Sequence, residues 1–440
     1  MEHNTRLIGF RQALYDFVFT RERDALTELL DALLLSPTVC SFPYLTLSPV
    51  FRRRYPSAYK ALERGRLDAS ELLKLIVKEL PDDEPVSIFP IDESAWPRPE
   101  ASTVEDRGFV HGAPQGIDHS GIVIGHSYSV LAYVAEGQSS WALPLSCERV
   151  PTDSDAITIA HKQIEALQRL RQEPTAMPVF CADSRYGNAR FLGGIGEGAA
   201  VTRLRSNRVL YRDPGPYSGR GRPPLHGAPF CFKDERTWGE PDQLIGFEDP
   251  RYGRVILRLW HGLHMKEEAG LRFSVLGAWV HQEKAHPPRP IWLAFYTSGR
   301  WSDKQQSMSA FELWHIYRAR TPLESSFRFR KRYLNWLTPR LAGLDSAQRW
   351  SNLVSIAQWV LWLSREQVQQ QVLPWQKRQA RLTPERVLQS LAGLFARIGT
   401  PAQSPKLRGK SPGWPKGRDR PSRIRHPVVK KGKKRCKKPG

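Results

Sequence analysis

The segment IYRARTPLESSFRFRK, residues 316–331, sets five basic side chains, Arg318, Arg320, Arg328, Arg330 and Lys331, around a single carboxylate, Glu324. Such a stretch can grip phosphate, and its lone acid either caps a helix or holds a metal ion against a nucleic acid. Capping has a local basis: Thr321 stands at a cap position, Pro322 at the first helical position and Glu324 three residues after the cap. The metal reading needs partners, because two divalent ions roughly 4 Å apart must be clamped by carboxylates that arrive from separate elements. Asp92 in VSIFPID and Asp183 in FCADSRYGN each follow an apolar run, and the spacings to the next acid are 91 and 141 residues. Glu93, Asp106 and Asp118 compete with Asp92 as nearby acids. Pro90 is awkward for a central strand because it removes a ladder donor.

The elements that would have to bring these acids together can be read from periodicity. Residues 1–82 alternate apolar and charged positions at helical spacing in RLIGFRQALYDFVF, RDALTELLDALLL and DASELLKLIVKEL, the last opened by an Asp68-x-x-Glu71 capping pattern. We expect a small helical domain there. FRRRY at 51–55 makes it a candidate DNA-end reader, against helical packing alone. From 83 to 206 the pattern changes to three strands, an amphipathic helix and a strand ending in an acid, the order of an RNase H-like α/β core with a mixed sheet and flanking helices. Residues 207–300 read as a β-rich insertion and 301–345 as the second part of the core. Residues 346–400 form a C-terminal helical region, and 401–440 a disordered basic tail, too poor in apolar residues to order itself.

Tyr317, Arg320, Glu324 and Lys331 fit the pattern Y-x₂-R-x₃-E-x₆-K at every position. With this pattern and the acid spacings, the chain over about 86–345 resembles a DDE transposase of a bacterial insertion sequence. The resemblance implies that Asp92, Asp183 and Glu324 bind two Mg²⁺, with Mn²⁺ able to substitute. It further implies that Tyr317 and Arg320 hold a phosphate, that Lys331 contacts the strand near the cut, and that Trp292 stacks on a base flipped from the transposon end. Trp292 reads equally well as core. The implied reaction is cut-and-paste transposition: nicking, hairpin formation and strand transfer on double-stranded DNA by a homodimer assembled on that DNA. A non-catalytic DNA-binding protein derived from a transposase and an RNase H-like nuclease are the alternatives.

Composition agrees with a polyanionic partner. Lys and Arg number 66 against 44 acids, a net charge of +22, and residues 401–440 alone hold 15 Lys/Arg against one acid, Asp419. The five cysteines show no C-x-x-C pair, so neither a zinc site nor a disulfide framework is expected. Without a long apolar run or an N-terminal leader, the expectation is no membrane and a cytoplasmic, nucleoid-associated bacterial protein. Three other signals are weaker. Arg220 and Arg222 in GRGRPP form a flat basic element able to enter a minor groove, against a solvated loop; GGIGEGA lacks the residues of a phosphate loop and reads as a turn; and GHSYS ends in Ser where a nucleophile elbow needs Gly.

Overall fold

Alternating apolar residues in the middle half of the chain build one large sheet, and the apolar stripes of the helices cover both of its faces. The computed structural model describes residues 2–36, 41–81, 85–112, 121–136, 139–217, 219, 221–281, 289–372, 374–406, 413–419 and 421–430. The chain opens with α1 (Glu2–Ala13), which continues as a wider turn over Leu14–Val18, then β1 (Phe19–Arg21), α2 (Arg23–Leu35), α3 (Pro56–Arg64), β2 (Arg66–Leu67) and α4 (Ala69–Val77). The Asp68 carboxylate accepts from the N–H groups of Ser70 and Glu71, at 2.9 and 3.0 Å, and so fixes the start of α4.

The sheet strands are β3 (Val86–Pro97), β4 (Gly108–Gly112), β5 (Gly121–Val134), β6 (Ala142–Val150), β7 (Met177–Ala182), β8 (Gly198–Leu204), β9 (Val209–Tyr211), β10 (Pro229–Cys231), β11 (Gln243–Asp249), β12 (Gly253–Met265), β13 (Glu268–His281) and β14 (Ile291–Ser298). Between them lie α5 (Ala156–Leu170), capped by Asp155, and α6 (Ala189–Gly193), capped by Asn188. The strands run in the order β10-β9-β12-β13-β14-β8-β7-β3-β5-β4, with β6 on β5 and β11 on β12. Within it, β6-β5-β3-β7-β8 with β3, β7 and β8 parallel fits an RNase H-like sheet. The insertion strands do not stand apart from this core: β14 pairs antiparallel with β8, so they prolong the same sheet.

Pro90 fits because of the ladder phase. Met177 N–H donates to the Pro85 carbonyl at 3.0 Å, which turns the N–H groups of even-numbered β3 residues toward β5, and β5 pairs with β3 only from Ile91 onward. No donor is needed at position 90. GGIGEGA is a turn between α6 and β8, with Gly196 and Gly198 at φ 70° and 127°.

After β14 come α7 (Lys304–Ser307), α8 (Ala310–Arg318), α9 (Thr321–Arg332), α10 (Leu344–Ser364), α11 (Pro384–Ser390) and α12 (Ala392–Ile398). Helix α10 is buried along most of its length between β6 and the N-terminal helices, and among the described residues no helix is long and apolar enough to cross a membrane. The N- and C-terminal helical regions form one packed unit. Arg11 makes a buried two-pronged pair with Asp31 at 2.8 and 2.9 Å and donates to the Gly399 carbonyl at 2.7 Å. Arg52 and Arg53 pair with the buried Glu28 and donate to the Ala402 and Gln403 carbonyls, while Arg54 is exposed. Part of the tail expected to lack order is docked. His426 and Val429 N–H groups donate at 2.8 Å to the Ser102 and Arg107 carbonyls, and the buried Arg107 guanidinium holds the His426 carbonyl at 3.1 Å.

Candidate active site

Two adjacent parallel strands deliver the first two acids. The β3–β7 register pairs Ile91 with Ala182, so Asp92, midway along β3 and not at its end as its apolar run suggested, lies beside Asp183, the first residue after β7. Alternation along each strand puts them on one face. Val86 and Ile88 on β3, and Val179 and Cys181 on β7, share the apolar cluster that also receives Leu313, Trp314 and Ile316 of α8. That cluster sets α8 over the same face, with the Cys181 thiol 3.7 Å from the Ile316 carbonyl. Helix α8 begins with a reciprocal cap between Ser309 and Glu312 and ends where the acids emerge.

The third acid arrives at the start of α9. Thr321 is not its cap: the Thr321 hydroxyl donates back to the Arg318 carbonyl at 2.9 Å, and the residue at the cap position, Arg320, makes no side-chain cap bond. Glu324 instead accepts from Arg320 Nη2 at 2.9 Å, while Arg320 Nη1 donates to Asp92 at 3.2 Å. One guanidinium thus joins acids 232 residues apart in sequence. Burial lifts the Asp92 carboxyl pKa to about 6, with Arg320 pulling it down and the charges of Asp183 and Glu324 pushing it up. Burial opposes the charge of Arg320, yet Tyr317, Asp92, Glu324 and Asp183 together hold its pKa above the ordinary value. Tyr317 keeps its proton, its pKa raised by burial despite Arg320 and Arg203, and Lys331 is near enough to feel the charge of Asp92.

The competing acids are engaged elsewhere. Glu93 points to the opposite face and pairs with Arg185, and Asp106 pairs with Arg149 and Thr152. Asp118 lies outside the described residues. Of the five basic residues around Glu324, Arg318 pairs with Asp249, and Arg330 is 0% exposed, packed over Trp336 and donating to Ser355 at 3.0 Å. Trp292 is likewise core. It is 1% exposed, stacks on Phe232 at 4.2 Å with planes 12° apart, and is ringed by Trp238, Trp260 and Trp279, so a base could reach it only by displacing Phe232. Arg222 is exposed in the loop before β10, and Arg220 lies outside the described residues.

Sequence reasoning missed Arg203. The β7–β8 register pairs Ala182 with Thr202, so Arg203 leaves β8 beside Asp183, on the face shared with Ala199 and Val201. Its signal was parity within an RNase H-like strand order, which becomes usable only once β8 is known to neighbour β7.

Among the described residues no three His, Cys, Asp or Glu side chains are already grouped as a metal cage. The donor chemistry nonetheless suits a hard divalent cation. Asp92 and Glu324 share one guanidinium, Asp183 is near enough for its charge to act on both Asp92 and Arg320, and the mutual repulsion at Asp92 is what such an ion would relieve. No curated protein matches the chain at a significant level. Residues 14–262, more than half of the chain and including Asp92 and Asp183 though ending short of Glu324, match the model of the DDE superfamily endonuclease family. With two acids side by side on adjacent parallel strands of an RNase H-like sheet, the chain belongs to the DDE superfamily endonucleases.

Proposed function

We propose that the protein is a DNA transposase of the insertion-sequence kind, which nicks the ends of its element and joins them to target DNA. The observation that carries the reading is Arg320, whose guanidinium binds Asp92 and Glu324 and feels Asp183, so that three acids from distant parts of the chain share one positive centre. In this reading Asp92, Asp183 and Glu324 hold two Mg²⁺, with Mn²⁺ able to substitute. When bound, the ions supply charge neutralisation at the attacking and leaving oxygens of the phosphodiester.

The chain's own groups do the rest. Arg320, freed from the carboxylates, offers a fork suited to two phosphate oxygens, and Arg203 stands beside Asp183 to take another. Tyr317, protonated, donates a hydrogen bond, and Lys331 contributes a point charge on the Asp92 side. Positioning and electrostatic stabilisation would provide most of the rate. The buried packing of Trp292 speaks against its stacking on a base in this conformation, so hairpin formation is not carried by that residue here. Pairing of two ends before cutting calls for a homodimer on double-stranded DNA.

Glu324→Gln tests the assignment. The variant should bind duplex DNA within about twofold of the parent and lose Mg²⁺-dependent nicking by at least about 100-fold, of the order seen when a transition-state charge contact is removed. Retained nicking would remove Glu324 from the set. A strand-transfer assay with precut ends separates a transposase from a nuclease that cuts without joining.

A further inference from the structure

Two cavities meet at the turn between α8 and α9. The smaller, about 270 Å³, is lined by Arg320, Arg318, Trp314 and Tyr252; the larger, about 900 Å³, shares Arg318 and Tyr252 and runs on past Arg251 to Arg381. They form one groove that begins at the arginine holding Asp92 and Glu324. Its charge is positive where it opens. Arg251 and Arg381 are exposed and neither pairs with a carboxylate among the described residues. The two acids on its walls are partnered: Asp249 with Arg318, and Glu136 with Arg365 at 4.0 Å. At the inner end, the Trp314 indole is 2% exposed and its N–H has no acceptor among the described residues, which leaves a buried donor for an occupant.

We propose that this groove holds a single DNA strand adjoining the cut, entering at Arg320 and leaving past Arg251 and Arg381. The inference rests on the endonuclease reading only for the identity of the polymer. Charge and size argue for this occupant. A pocket of roughly 300–1,000 Å³ buries a drug-sized molecule, so these volumes take a few nucleotides of one strand and not a duplex. Free guanidinium groups beside an aromatic ring are the means by which proteins track a single strand without reading its sequence. The Arg318 guanidinium lies over the Tyr252 ring at 4.4 Å and Arg251 at 5.4 Å, so cation and ring form one surface.

The test compares the full chain with the Arg251→Ala/Arg381→Ala double variant, using fluorescence anisotropy of a labelled oligothymidine strand and of a labelled duplex. Both arginines are exposed, and an unchanged melting midpoint confirms that the variant is folded. Both proteins carry the same basic tail, so its contribution cancels. The variant should bind the strand about 3- to 10-fold more weakly, and the slope of log affinity against log salt should fall by about 1.4, at about 0.7 per lost phosphate contact. Duplex affinity should stay within about twofold. Unchanged strand affinity and slope would overturn the groove. Photo-crosslinking of a 5-iodouridine strand to the unaltered chain adds a direct readout: adducts at Tyr252 or Trp314 support it, and adducts confined to other surfaces overturn it. A protein that cuts duplex DNA while the variant keeps its strand affinity loses the groove alone, and one that uses the groove without cutting loses the transposase reading alone.

Discussion

Arg320 sits where a divalent ion would have to exert its pull, so Arg320→Met should tighten metal binding while weakening catalysis. The size of the effect follows from what the ion must displace. The contact with Asp92 joins side chains 14% and 23% exposed, and a hydrogen bond to a charged group in such surroundings contributes about 1.5–3 kcal/mol. The contact with Glu324, whose side chain is 56% exposed, is screened by water and adds about 0–1 kcal/mol. Taking the first contribution alone, at 1.4 kcal/mol per factor of ten, methionine should lower the dissociation constant by about 10- to 100-fold. Isothermal titration of the full chain with Ca²⁺ in the absence of DNA measures this without turnover. The same variant should nick DNA more slowly, because it lacks the proposed phosphate fork. Equal or weaker Ca²⁺ affinity in the variant would refute the idea that guanidinium and metal compete for the same carboxylates.

Burial alone lifts the Glu148 carboxyl pKa to about 7, so its contribution to stability is greatest below its ordinary value of 4.5 and is lost as pH rises through 7. Glu148→Gln should therefore match the parent near pH 4.5 and exceed it by up to about 3 kcal/mol above pH 7, read as a pH-dependent gap between thermal midpoints; a gap independent of pH would assign the effect to packing. Removing residues 404–440, which spares the Ala402 and Gln403 carbonyls held by Arg52 and Arg53, should flatten the salt dependence of duplex binding. An unchanged slope would deny the tail its role in neutralising phosphate. Arg107→Ala, which releases the His426 carbonyl, should instead speed tryptic cleavage at Arg423 and Arg425 and leave that slope intact; equal cleavage rates would show that the docked segment does not depend on this arginine.

Much of the sheet was legible because strand alternation and apolar runs are local. VSIFPID, GIVIGHSYSVLAYVAE and MPVFCADSRYG became β3, β5 and β7. The short edge strand β4 was not foreseen, since GFVHG has too few residues to show a period. The site was legible in part. Asp92, Asp183 and Glu324 were chosen on spacing and on a four-residue pattern; in the fold Arg320 bonds Asp92 and Glu324, and strand register sets Asp183 beside Asp92. The surroundings of neighbouring residues were not legible for one reason, which is that burial depends on what other segments contribute. Arg330 looks like a phosphate ligand in its segment, but α10 and β6 enclose it. Trp292 looks available until Phe232, supplied from another part of the insertion, stacks on it.

By itself, the sequence determined the chemistry on offer: an excess of basic charge, separate carboxylates at the ends of apolar runs, and a helix start in which Arg320 and Glu324 lie four residues apart and so can pair across one turn. These are properties of residue type and short-range periodicity. Only the tertiary structure decided which acids meet. The parallel register of β3 with β7 sets Asp92 beside Asp183, and the apolar cluster beneath α8 brings Glu324 to them. Strand pairing and face-to-face packing join residues far apart in the chain, and no local pattern records which distant partner a strand or helix will find.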